Sequence, residues 1–79
     1  MNDEQKAFYS AALESLKSFK TQIGENVIRA ENFEGAVVPG ESPEPAIFAG
    51  QLNTVQAKLR TAIEELEIAM KQVEEALAQ

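Results

Sequence analysis

The stretch FAGQLNTVQAKLRTAIEELEIAMKQVEEAL, Phe48 to Leu77, decides the fold. With Leu52 opening a heptad, Leu52, Leu59, Leu66 and Val73 form one column, and Phe48, Val55, Ala62, Ala69 and Ala76 form a second. Nine consecutive seam positions are therefore apolar, the period of an α-helix packed against another helix. A third column, Ile63, Met70 and Leu77, widens the stripe beyond what one partner helix covers. On the opposite face Arg60, Glu64, Glu67, Lys71, Glu74 and Glu75 read as a solvated row, with Glu67 and Lys71 spaced for an i,i+4 ion pair. Ile68 interrupts that polar face. The alanines Ala62, Ala69 and Ala76 permit close helix approach, although alanine is also simply a good helix former.

Upstream, ESPEPAIF offers a start for this helix. Ser42 suits an N-cap, Pro43 and Pro45 fit the first turn where a missing N–H costs little, and Glu44 faces the positive end of the helix dipole. The helix is expected over about 44–78, with Gly50 on its outer side. A first helix is expected over about 3–32. Asn2 with Gln5 forms a capping-box pattern, and Tyr9, Ala12, Leu16, Phe19, Ile23, Val27 and Ala30 recur at helical spacing, with Phe8 and Leu13 beside them. Asn26 falls near that stripe, where it could set register as a buried polar residue or simply face water. Between the helices, residues 33–43 carry Gly35, Pro39 and Gly40 and read as a connector. The chain is expected to be one all-α domain over 1–79, an antiparallel two-helix hairpin with coiled-coil-like packing.

Size sharpens that expectation. A chain of 79 residues and 8.6 kDa buries little on its own. Cysteine and histidine are both absent, which removes disulfides and the usual zinc ligands as staples. Association is the remaining staple. Leu16, Phe19 and Ile23 of the first helix and the three columns of the second exceed what two helices cover between them. The expected assembly is a homodimer forming a four-helix bundle, or a larger helical assembly.

Several functions are disfavoured by composition. Thirteen acidic against seven basic residues give a net charge of −6, and the basic residues are scattered. This argues against nucleic acid and against an anionic membrane surface. A weakly basic face from Lys6, Lys17, Lys20 and Arg29 is the one nucleic-acid alternative. The polar start MNDEQK lacks a signal or anchor pattern, so a soluble cytoplasmic protein is the expectation. Without His or Cys the common nucleophile and base pairs are missing, and FEGAVVPG lacks the spacing and lysine of a phosphate loop. Glu14, Glu64, Glu67 and Glu74 project outward on the helical wheel, which weakens a carboxylate metal bundle. No catalytic residue, cofactor site or metal site is expected. The expected role is structural or adaptor-like, acting through protein–protein contact. Phe33, Val37 and Val38 in the connector either fold back over the end of the bundle or, together with Ile68, are candidates for docking a protein partner.

Overall fold

The computed structural model describes residues 1–79 and contains two helices of 34 residues each, α1 (Asp3–Ala36) and α2 (Glu44–Leu77), packed antiparallel. The capping box at the start of α1 is formed. The Gln5 N–H donates to Asn2 Oδ1 at 2.8 Å and the Asn2 N–H donates to Gln5 Oε1 at 3.1 Å, so two donors that the helix cannot use are satisfied reciprocally.

The first helix runs four residues past the expected end at Asn32. Gly35 lies inside it, and no glycine in the chain has a positive φ, so glycine here does not stop the helix. The stop comes from Pro39. The ring of a proline crowds the preceding residue, here Val38, out of helical dihedrals, and the chain has turned extended one residue before that, at Val37 (φ −67°, ψ 121°), whose N–H still donates to the Glu34 carbonyl at 3.2 Å. The connector is consequently the seven residues 37–43, shorter than expected.

The start of α2 lies where expected, but its cap differs. Pro43 (φ −78°, ψ −15°) takes the cap position and no side chain caps the helix, so Ser42 is not the N-cap. Proline's fixed φ already suits the first turn. Pro45 brings no N–H that would need a partner, which lessens the demand for a cap.

The inward residues of α1 are Tyr9, Leu13, Leu16, Lys20, Ile23, Val27, Ala30 and Glu34, alternating by four and three. Those of α2 are Leu52, Leu59, Leu66 and Val73 together with Ala49, Gln56, Ile63, Met70 and Leu77. The expected seam of α2 is thus half right. Phe48 and Val55 stay more than a third exposed, and the third column, Ile63, Met70 and Leu77, faces α1 in their place. Asn26 is exposed in the single hairpin and takes no part in the contact between α1 and α2.

Two helices alone make a thin core. Only Val27, Ala30 and Gln56 are buried, and the hairpin measures 64 × 14 × 13 Å. Its accessible surface of 5850 Å² exceeds the roughly 4,700 Å² of a compact monomer of this mass. No helix is long and apolar enough to cross a membrane.

Gly50 is a weak point in α2 with open space where a Cβ would stand. Gly50→Ala is expected to stabilise the fold by about 1 kcal/mol, because glycine surrenders more backbone freedom on folding. The melting temperature should rise by roughly 4–8 °C. A thermal scan showing no rise would count against a continuous helix at that position.

Candidate functional site

The two long sides of the hairpin differ in chemistry. On one side the helices are tied by polar contacts. Lys20 pairs with Glu67 at 3.3 Å, Arg60 pairs with Glu31, and Gln56 Nε2 donates to a Glu34 carboxylate oxygen at 2.6 Å. Glu67 therefore spends its charge across the interface on Lys20, and the expected pair with Lys71 is not formed. Gln56, only 3% exposed, is the most buried residue of the chain and has its amide satisfied. The sequence reading passed over Gln56, a polar letter on an apolar stripe, and gave Lys20 a place only in a weakly basic face. Their role shows only once the facing helix supplies Glu34 and Glu67.

The other side carries no charge in the columns that border the seam. On α1 these positions are Ala12, Phe19, Asn26 and Phe33, and on α2 they are Phe48, Val55, Ala62, Ala69 and Ala76. Phe19 is 52% exposed, Phe33 64% and Phe48 54%, while the four alanines are half-buried. Phe33 and Phe48 line one groove, which fixes these two columns on the same side of the molecule. The arrangement follows from heptad geometry. In an antiparallel pair the residues flanking the seam meet their equivalents across it, so one flank collects Arg60, Glu67 and Glu31 and the other collects the apolar columns.

The residues expected to associate therefore fall into two groups. Leu52, Leu59, Leu66, Val73, Ile63, Met70 and Leu77 of α2, with Leu16 and Ile23 of α1, face the opposite helix and hold the hairpin together. Phe48, Val55, Ala62, Ala69 and Phe19 lie on the apolar flank.

Among the expected docking residues, Phe33, Val37 and Val38 come together at the loop end. With Ala36, Pro45 and Phe48 they line an open apolar groove, and Val38 is 77% exposed. Ile68 is not among them. It lies twenty residues beyond Phe48 on the outer face of α2, about 30 Å away along the helix axis. Ile28 and Ile47, both more than half exposed, were not singled out by periodicity because they sit off the stripe.

Elsewhere the surface is plain. Of the basic residues of α1, Lys17 lies 3.9 Å from Glu14 and Lys20 is held by Glu67, so two of the four cations that could form a basic face stand beside carboxylates. No three His, Cys, Asp or Glu side chains converge as metal ligands do.

Glu44 has a lowered carboxyl titration. The Ser42 hydroxyl and Glu44's own backbone N–H hydrogen-bond its carboxylate and hold it below its ordinary value of 4.5. A depressed carboxyl favours the fold above its unfolded pKa, and that contribution is lost as pH falls through the lower folded value. Ser42→Ala is expected to move the Glu44 midpoint up toward 4.5, read by NMR titration of its side-chain carbonyl carbon. An unmoved midpoint would show that the serine is not the cause.

Comparison of the chain with protein-family models, with curated proteins and with solved structures finds no match.

Proposed function

We propose that this protein is a non-catalytic helical association module, whose hairpins pair through the apolar flank into a coiled-coil-like four-helix bundle that serves as a structural or adaptor element in the cytoplasm. The observation that carries this reading is the one-sidedness of the hairpin. Every ion pair and side-chain hydrogen bond between the helices lies on or beside one flank, and the other exposes phenylalanine, valine and alanine without a single charge in its columns. A hairpin that stayed alone in water would gain nothing from that segregation. A bundle gains a second core. The loop-end groove of Phe33, Val37, Val38 and Phe48 continues this flank and is the natural place for a further protein partner.

Sedimentation equilibrium at micromolar concentration tests the reading. The expected mass is about 17 kDa, twice the 8.6 kDa chain. A species of 8.6 kDa would overturn it.

A further inference from the structure

We infer that the occupant of the apolar flank is a second copy of this chain running in the opposite direction, so that the loop end of each hairpin lies over the open end of the other. This rests on the association reading above and adds an orientation to it.

Area favours a second copy. The flank runs about 42 Å along α2, from Phe48 to Ala76, and is as wide as the hairpin, 13–14 Å. That is roughly 550–600 Å² per copy before surface relief, at the lower edge of the range of about 600–1,000 Å² per partner typical of specific dimers.

Shape selects the direction. A two-fold axis across the helices stacks α2 on its own equivalent, and the column then complements itself about Ala62. Phe48 meets Ala76 of the other copy and Val55 meets Ala69, large against small at both ends, while Ala62 meets its own equivalent at the centre. On α1 the same axis brings Phe33 to Ala12 and Phe19 to Asn26, and both centres lie near the middle of their helices. The alternative, both loops at one end, stacks Phe33 near the other copy's Phe48 and Val55 and leaves alanine on alanine at the open end. Interiors pack to a uniform density, so that arrangement both crowds one end and leaves voids at the other.

Charge agrees. Lys58 and Glu65 sit on the rim of the flank at nearly equal distances on either side of Ala62, and Lys58 has no ion-pair partner within the hairpin. Opposed chains bring each Lys58 to the other copy's Glu65. Chains running the same way would instead stack each α2 on the other copy's α1 and carry Lys58 away from the other copy's Glu65.

The chain has no cysteine, so a single spin label can be placed cleanly. Gly40 is in the connector with open space around it and no positive φ. In Gly40→Cys carrying a nitroxide, pulsed dipolar spectroscopy is expected to give a separation close to the 64 Å length of one hairpin. A separation within the combined thickness of two hairpins, or ready disulfide formation between the unlabelled cysteines, would overturn the orientation while leaving self-association intact. An 8.6 kDa species with no dipolar coupling would overturn both and would leave the flank to a different partner. As a second readout, Lys58→Glu is expected to weaken the dimer roughly tenfold, with Glu65→Lys in the same chain restoring it. Failure of that restoration would also count against opposed chains.

Discussion

Replacing Phe19 by glutamate is expected to convert the roughly 17 kDa species to 8.6 kDa while leaving the helical circular dichroism intact. Phe19 lies near the middle of the apolar flank and is half exposed in the single hairpin, so it contributes little to the contact between α1 and α2. Within a paired bundle the same position would be enclosed. Each dimer of the variant would then have to bury two carboxylates with no cation in either flanking column to receive them. An unpaired buried charge costs several kcal/mol, and large effects cluster at central aromatic positions of an interface. The dissociation constant is expected to rise by a factor of a hundred or more, equivalent to about 3 kcal/mol or above. Phe19→Leu, which keeps the flank apolar, should preserve most of the association. Unchanged mass for the glutamate variant would show that the flank is not the interface. Loss of helix content would show instead that Phe19 supports the hairpin itself.

The second large effect lies inside the seam. Val27 and Ala30 are the only buried apolar residues of the chain, and no buried side-chain nitrogen or oxygen lacks a hydrogen-bond partner. Val27→Asp is expected to abolish most of the helical signal at 25 °C. A domain of this size holds together by about 4–12 kcal/mol in total, and a buried carboxylate without a partner removes a large part of that. Val27→Ala supplies the comparison, because it removes two methyl groups and leaves a small void, at an expected cost of about 2 kcal/mol. The two variants separate charge burial from lost packing. A folded Val27→Asp hairpin melting within a few degrees of the parent would mean that position 27 reaches water and that the seam lies elsewhere on α1.

Much of this architecture was legible from local chemistry. The capping box of Asn2 and Gln5 forms as its spacing implies, because both partners lie within one turn. The beginning of α2 at Glu44 follows from two prolines whose ring geometry suits a first turn. The far end of α1 was less legible. Gly35 is an ambiguous letter, tolerated in a helix at about 1 kcal/mol and common just beyond one, and the restriction that ends the helix acts backward from Pro39. Ser42 reads as a cap by its type, yet its hydroxyl is turned to the Glu44 carboxylate.

What the sequence determined by itself was that both segments are helices, that they are joined by a proline- and glycine-containing connector, and that α2 bears three apolar columns where one partner needs two. Periodicity carries that much because it depends only on the 3.6-residue turn. Which two columns face α1 was decided by the tertiary structure. Turning α2 to bring Phe48 and Val55 inward would swing Arg60 and Glu67 away from Glu31 and Lys20, and would strip Glu34 of the amide of Gln56. Packing Leu52, Leu59, Leu66 and Val73 beside Ile63, Met70 and Leu77 keeps every one of those polar groups paired. Apolar columns are interchangeable to a first approximation, whereas charges beside a seam accept only the rotation that supplies their partners. That choice leaves phenylalanine, valine and alanine together on the opposite flank.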